Sequence, residues 1–256
     1  MQSVLYVDSR MRSEGTDSSF QIDLQESKRL DSHGMRLDKI RFVNTFFTTD
    51  LGAHLYYKDG SGGLQYYSIP EQAYTGALLA AAIQTATSRT TTYDSNTNAI
   101  TQAINVGQEW LSDEALKTFS TGFPAGASGV EPRSLNTILG PATAGANLVW
   151  GFVTMAPYEY LLLRSRRLTI ENCQDPNGRH DAIAMIPLTR GIGAVEQSAS
   201  PEGVYMKLPT DLTLRNIDFS LTDYKGNVVN LRGRPLSLEI CFDSKIKKAF
   251  IKCQSN

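Results

Sequence analysis

The sequence contains few of the residue types from which catalytic and metal centres are usually built. Its 256 residues include three cysteines and three histidines. The cysteines are an odd number at unrelated spacings, which argues against a disulfide framework and for folding in a reducing compartment. They are Cys173, Cys241 and Cys253. Each is expected to be a small buried apolar residue or, for Cys253, a thiol in the C-terminal tail.

The histidines also lack the spacing of metal ligands. His33, His54 and His180 have no second ligand at helical i, i+4 spacing and no Cys-x-x-Cys motif beside them. Each is therefore expected to be a hydrogen-bonded or exposed loop residue. The sequence predicts no metal site and no cofactor.

Excess charge and long apolar runs are missing as well. Lys and Arg total 25 against 26 Asp and Glu, a net charge of -1, so no global field attracts nucleic acid or an anionic membrane. The longest apolar stretches are far shorter than the roughly 20 residues of a membrane-spanning helix. The N-terminus has neither the basic region nor the apolar run of a cleaved signal. With 41% hydrophobic residues, a globular protein made in the cytosol or nucleus is expected.

Established catalytic motifs are absent from the sequence. It has no G-x-S-x-G elbow, P-loop, H-E-x-x-H or dinucleotide fingerprint. A pair formed by His180 and Cys173 would be the best nucleophile, because a thiolate needs a basic neighbour, but no orienting group is evident. We therefore predict that the protein is not an enzyme.

Period-two patterns at both ends of the chain predict β-strands. Phe20 to Leu24 alternates apolar with polar residues. In Met35 to Phe47 the apolar set changes phase, which predicts a bulge near Asp38 and Lys39. Further strands are expected at Tyr158–Ile170, Ala182–Leu188 and Val204–Leu208, with loops between them.

The clearest alternation lies in the last third, Leu212 to Phe242. Ile217, Phe219 and Leu221 alternate with polar residues, a turn follows at 223–227, and Val228–Leu231 is expected to run back as a strand. Leu236 to Phe242 then alternates again. These closely spaced strands are expected to close a sandwich as a hairpin and a final strand.

The middle of the chain has a different pattern. Two hairpins are predicted, His54–Lys58 with Leu64–Ile69 and Thr90–Tyr93 with Ala99–Ile104. A helix with the apolar stripe Leu78, Leu79, Ala82, Ile83 and Ala86 lies between them, capped by Thr75, and short helices are expected from Ser112 and at Ser134–Leu139.

Together the patterns predict a mainly β protein, a single jelly-roll β-sandwich with an inserted mixed α/β subdomain. Residues 1–51 and 148–256 form the predicted jelly-roll domain, and 52–147 form the insertion. Short strands without βαβ alternation or a long repeat favour a jelly roll over parallel α/β folds, propellers and solenoids.

Two basic clusters are candidate subunit contacts. Arg164, Arg166 and Arg167 form the first, and alternation would put Arg164 and Arg166 on one strand face, able to pair carboxylates of a neighbouring subunit. The alternative is a solvated face. Lys245, Lys247 and Lys248 form the second, in a tail that suits either an arm docking on a partner or a frayed terminus.

The succession of short motifs along the chain resembles a known family. The matching residues are Tyr6-Val7-Asp8-Ser9-Arg10, Tyr67-Ser68-Ile69-Pro70, Tyr74-Thr75-Gly76, Tyr93 with Ala99-Ile100, Ser134-Leu135-Asn136-Thr137-Ile138-Leu139-Gly140, Tyr160-Leu161-Leu162-Leu163-Arg164-Ser165, and Ile217 to Gly233. In this order they resemble the single-jelly-roll penton, or minor capsid, proteins of polinton-, virophage- and adintovirus-like double-stranded DNA viruses.

This resemblance implies a structural virion protein, the vertex subunit of an icosahedral capsid. It implies that five copies form a ring that contacts a double-jelly-roll major capsid protein, after synthesis in the host cytoplasm or nucleus. A cement protein is one alternative. Another is an attachment module that binds a host receptor, spike or glycan through Tyr56, Tyr57, Tyr66 and Tyr67, unless these tyrosines pair across a hairpin.

Overall fold

The alternating segments form antiparallel sheets in the computed structural model, which describes residues 2–30, 34–104, 108–168, 178–199, 205–208 and 212–243. The strands are β1 (Gln2–Asp8), β2 (Glu14–Gly15), β3 (Ser19–Leu30), β4 (Gly34–Val43), β5 (His54–Lys58), β6 (Leu64–Ser68), β7 (Thr91–Asp94), β8 (Ala99–Ala103), β9 (Glu109–Trp110), β10 (Ala142–Ala144), β11 (Asn147–Trp150), β12 (Tyr160–Arg164), β13 (Ala182–Pro187), β14 (Val195–Ser198), β15 (Met206–Lys207), β16 (Leu212–Thr222) and β17 (Ser237–Asp243). The helices are α1 (Gly76–Thr87), α2 (Asp113–Leu116) and α3 (Asn136–Leu139).

The chain divides into two compact units. The first consists of Met1–Thr45 with Tyr158–Asn256, and the second is Phe46–Pro157. The second unit therefore lies in the sequence between β4 and β12. The predicted division into domains at 1–51 with 148–256 and at 52–147 stays a prediction.

The first unit has the strand connectivity of a jelly roll. One sheet, here the β4 sheet, has the order β1-β17-β4-β14, with β15 also paired to β4, and the other, the β16 sheet, has the order β13-β12-β16-β3-β2. Along the chain, β1 lies in the β4 sheet, β3 in the β16 sheet, β4 in the first again, β12 and β13 in the second, and β14, β16 and β17 alternate. All their pairings are antiparallel. The predicted fold class is confirmed.

The bulge predicted in β4 is present. Glu239 of β17 faces Lys39, whereas Ile240 faces Leu37, so Asp38 is the additional residue on the bulged strand. Apolar residues on both sides of it are buried, namely Met35, Leu37, Ile40 and Phe42. The bulge keeps one face of β4 in the core on both sides of the phase change.

Of the expected closing hairpin, the turn at 223–227 is present, but the return strand expected at Val228–Leu231 was wrong. β16 pairs with β12 and β3, whereas β17 pairs with β1 and β4 in the other sheet. Val228–Leu231 forms no strand, and one isolated bridge joins Thr222 to Val228. The Asp223 carboxylate holds the turn by accepting the backbone N–H groups of Lys225 and Asn227. After this turn the chain crosses to the β4 sheet, in which β17 is hydrogen-bonded along both of its edges, to β1 and to β4.

Other strand boundaries differ from expectation. β1 was not predicted, and β14 lies in a segment assigned to a loop. The strand predicted over Tyr158–Ile170 spans Tyr160–Arg164, and residues 169–170 lie outside the described ranges.

The second unit contains both predicted hairpins. β5 pairs with β6 and β9, and a second sheet has the order β10-β11-β8-β7. Helix α1 begins at its predicted cap, since the Thr75 hydroxyl accepts the Leu78 N–H. Leu79 and Ile83 are buried against the unit's core, but Leu78 is 58% exposed, so the buried stripe is narrower than predicted.

Candidate interaction surfaces

The arginine cluster lies beside a cavity of about 540 Å³ on the β16 sheet, lined by Arg164, Arg166, Asp181, Asp218 and Thr222, among others. Arg164 is buried there, with 3% of its side chain exposed. Its Nε donates to Thr222 Oγ1 at 3.0 Å, and its Nη1 donates to Asp181 Oδ1 at 2.5 Å. The Arg164 guanidinium is thus bound by residues of its own chain.

Arg166 and Arg167 lie beyond the end of β12, which ends at Arg164. The expectation that Arg164 and Arg166 share one face of a strand was therefore wrong. The backbone N–H groups of Arg166 and Arg167 donate to the two carboxylate oxygens of Asp218, at 3.1 and 3.2 Å. The Arg166 side chain is 89% exposed, with its Nε 3.8 Å from Asp218. A role in subunit contact stays a prediction for these arginines. Lys245, Lys247 and Lys248 lie outside the described residues.

The tyrosines proposed as an attachment platform pair across the β5–β6 hairpin. Tyr56 faces Tyr66, and the stacked rings of Tyr57 and Tyr67 have centroids 4.9 Å apart. Tyr56 is buried, and its hydroxyl donates to the Pro132 carbonyl at 2.6 Å. These contacts are the cross-strand pairs that were expected if the tyrosines do not form an attachment site.

A buried arginine that the sequence analysis missed lies against this hairpin. Arg89 is 5% exposed and lies over the rings of Tyr67 and Trp110, 5.7 Å from each centroid. Its Nη2 donates to Gln108 Oε1 and the Tyr67 hydroxyl. Burial raises the pKa of Tyr57 to about 12, helped by its hydrogen bond with Tyr67. Burial also acts to raise the pKa of Tyr67, but hydrogen bonds with Tyr57 and Arg89 outweigh it and lower that pKa.

Two of the residues that could take part in nucleophilic catalysis, His54 and Cys241, lie in the described part of the chain. His54 Nδ1 lies 2.9 Å from Ser68 Oγ, but no carboxylate in the described residues orients the ring as a nucleophile's base requires. Cys241 is buried, and burial raises the pKa of its thiol. Cys173, Cys253 and His33 lie outside the described ranges. Within those ranges no three His, Cys, Asp or Glu side chains are grouped as metal ligands, and no helix there has the length and apolar character to cross a membrane.

His54 predicts a pH dependence of stability. Burial, and then the positive charge of Arg133, lower the pKa of His54 below 6.5. The unfolded chain therefore binds the proton more readily than the folded protein. The contribution of His54 to stability is fully present above about pH 6.5 and is lost as the pH falls through the lowered pKa of the folded state. We expect the thermal midpoint, followed by tryptophan fluorescence, to fall between about pH 7 and pH 5.5.

His54→Gln keeps a hydrogen-bonding side chain for Ser68 and removes the titration, so it is expected to flatten this dependence. Equal slopes in the native protein and His54→Gln would contradict the assignment.

A second cavity, of about 380 Å³, lies in the second unit between the segment at β9 and α2 and the segment from α3 to β11. Ser112 caps α2 by accepting the Ala115 N–H, which places Asp113 in its first turn. Asp113 Oδ1 accepts from Ser134 Oγ at 2.5 Å and from Asn136 Nδ2 at 2.7 Å. From sequence alone Ser112 predicts only the start of a helix, because Asn136, to which Asp113 is bonded, is distant in sequence.

Comparison with known proteins finds little at the level of sequence. No family model matches the chain, and no curated protein matches it significantly. Among solved structures it is similar to the mavirus penton protein, with a TM-score of 0.48 and 8% sequence identity, over 95% of this chain and 99% of that one.

Proposed function

We propose that this protein is a structural virion protein that forms the vertex of an icosahedral capsid as a homopentamer. The observation that carries the proposal is the complete jelly-roll strand order with a second unit on the connection between β4 and β12. The motif order described above, which resembles penton proteins, points to the same role.

The physical properties of the fold suit this role. A jelly roll presents sheet edges and loops at its sides. When two different sides of neighbouring copies contact each other and each copy is rotated by one fifth of a turn from the last, five copies close into a ring. The predicted partners are further copies of this chain and a double-jelly-roll major capsid protein. On this proposal the protein is not an enzyme and resides in the virion after synthesis in the host cell.

The exposed arginines after β12 are proposed as part of the subunit contact. Arg166 and Arg167 have exposed side chains, and their backbone is held in place by Asp218. An exposed guanidinium whose backbone is held in place suits pairing with a carboxylate of the next copy. Arg164 is assigned a different role, because its guanidinium is occupied by Asp181 and Thr222.

Native mass spectrometry of the purified protein, alone and mixed with major capsid protein, is expected to show pentamers. The charge reversal Arg166→Glu with Arg167→Glu should shift the distribution towards monomers, because each like-charge contact is repeated around the ring. The same charge change at two other exposed positions, Arg10→Glu with Arg234→Glu, is the matched control.

Monomers alone in every mixture would refute the vertex role, and binding to a closed shell without pentamers would favour the cement alternative. Pentamers that persist in the Arg166 and Arg167 variant would instead place the subunit contact elsewhere on the molecule.

A further inference from the structure

The first strand of the chain leaves one edge of the β4 sheet open. β1 pairs with β17 along its whole length, and within the described residues its other edge has no partner strand. The Ser9 N–H donates to the Leu236 carbonyl at 2.9 Å, which makes these two residues a hydrogen-bonded pair of the ladder. Because such pairs alternate in an antiparallel ladder, the backbone N–H and C=O groups of Val4 and Tyr6 point away from β17, towards the open edge.

The side chains along this edge include exposed apolar groups. Tyr6 is 74% exposed, Met11 76% and Val4 39%. Tyr6 and Met11 also line a cavity of about 580 Å³, together with Val7 and Asp8 among others. A further strand along β1 would gain backbone hydrogen bonds and cover apolar surface at the same time.

β1 lacks the features by which proteins usually protect an open edge, namely a short strand, a bulge, or a lysine or proline on the strand. Its seven residues, QSVLYVD, pair with β17 in continuous register and include no lysine, arginine, proline or glycine. The edge strand of the β16 sheet, β13, ends in a proline and has a register shift in its pairing with β12. β14 has only four residues. The β1 edge therefore favours the addition of a strand.

In a ring, the strand that covers β1 has to come from a different part of the chain. Pairing of β1 with β1 of a second copy would use the same surface twice and close at two copies. Residues 244–256, which lie outside the described ranges, follow β17 directly in the sequence. Fully extended they reach about 40 Å, against about 23 Å for β1, so they are long enough to pair with the whole edge.

The charge of this segment is opposite to that of the rest of the chain. Residues 244–256 contain four lysines and no acidic residue, so residues 1–243 hold 21 Lys and Arg against all 26 Asp and Glu. The cavity beside β1 is lined by the carboxylates of Asp8, Asp23 and Glu239 and by two basic side chains. The segment is therefore attracted to the body of another copy.

The strand directions favour a neighbouring copy over the same chain. β17 ends at Asp243, opposite Gln2 at the start of β1. A segment that turned back within its own chain would have to pass around the start of β1 and then run parallel to it. The segment of another copy can approach in the antiparallel direction, which is slightly more stable per residue.

We propose that residues 244–256 of one copy add an antiparallel strand to the open edge of β1 in the next copy. Ile246 and Phe250 fall on one face of such a strand and can pack against Val4 and Tyr6. This contact rests on the proposed pentamer and names the segment that joins its subunits.

Tyr6→Pro is the diagnostic variant. It removes an N–H that faces the open edge and leaves the bonds to β17 in place, and edge strands accept proline where the missing N–H points outward. In native mass spectrometry of the full chain, the concentration at which half of the protein is pentameric is expected to rise by about tenfold or more. Tyr6→Ala, which keeps the N–H, is the control and should have a smaller effect.

Ile246→Asp with Phe250→Asp tests the other side of the contact. This variant leaves residues 1–243 unchanged, so it replaces Tyr6→Pro should that variant fail to fold, and the same loss of about tenfold or more is expected. Gln254→Asp with Ser255→Asp adds the same charge without removing an apolar side chain. It is the matched control and should lose less.

Cross-linking distinguishes a neighbouring copy from the same chain. Tyr6→Cys places a thiol at the open edge, and Cys253 supplies one in the segment. With a short bis-maleimide linker we expect bands of two and more copies on a denaturing gel. These bands should be weaker in the native protein and in Tyr6→Cys with Cys253→Ser.

Pentamers that persist unchanged in folded Tyr6→Pro or in the Ile246 and Phe250 variant would overturn this contact and leave the vertex role standing. A loss in Tyr6→Pro no greater than in Tyr6→Ala would also overturn it, as would linkage within single chains alone. Monomers of the native protein in every mixture would overturn both this contact and the vertex role.

Discussion

Replacement of Arg164 by methionine is expected to lower the free energy of unfolding by about 3 kcal/mol, because it leaves a largely buried carboxylate without its partner. The Arg164 side chain is 3% exposed and Asp181 is 20% exposed, with 2.5 Å between Nη1 and Oδ1. Thr222 Oγ1 also loses the Nε–H that it accepts. Urea denaturation followed by far-ultraviolet circular dichroism measures the loss.

Arg166→Met is the matched control, since its guanidinium is 89% exposed and surface pairs contribute little. A change within about 0.5 kcal/mol is expected for it. Combining Arg164→Met with Asp181→Asn should cost less than the sum of the single changes, with a coupling of about 1 to 3 kcal/mol. Equal, small losses for Arg164→Met and Arg166→Met would show that the buried pair does not stabilise the unit.

Gly52→Ala is expected to destabilise the second unit by about 3 kcal/mol, because the new methyl group would overlap the backbone of Arg133 and Ser134. That backbone is itself bound to β5, since His54 N–H donates to the Arg133 carbonyl at 3.2 Å and Leu135 N–H donates to the His54 carbonyl at 2.8 Å. Neither side can move without breaking these bonds. The midpoint of tryptophan fluorescence on thermal unfolding measures the effect.

Gly151→Ala provides the comparison in the same unit. A Cβ atom at Gly151 meets no other atom within 4 Å, so a change within about 0.5 kcal/mol is expected. Equal midpoints for Gly52→Ala and Gly151→Ala would show that the close approach of Gly52 to the backbone of Arg133 and Ser134 is not required for the stability of the second unit.

Local pattern predicted most of the elements because the signals are carried by neighbouring residues. The phase change in β4 located the bulge at Asp38, since alternation along one strand records which face is buried. Thr75 marked the start of α1 because a capping hydroxyl accepts a backbone N–H from only three residues further along the chain. β1 was missed because it lies at a sheet edge, where Val4 and Tyr6 are exposed and alternation is weak.

The candidate sites were harder to predict, because they depend on residues distant in sequence. The sequence predicts a surface contact for Arg164, whereas in the structure it is buried and bound to Asp181, which directly precedes β13, and to Thr222 at the end of β16. The cavity at Trp110 is lined by residues 110–113, 136–137, 140–142 and 150, which no spacing in the sequence connects.

The sequence by itself determined that Leu212 to Phe242 contains strands and that the chain is mainly β, because period-two alternation is a local property. Only the tertiary structure decided that β16 and β17 belong to different sheets. The alternating residues of β17 require an apolar face to cover them, and either sheet could supply one. Pairing with β1 and β4 over seven positions on each side selects the β4 sheet, because it satisfies both edges of the strand at once.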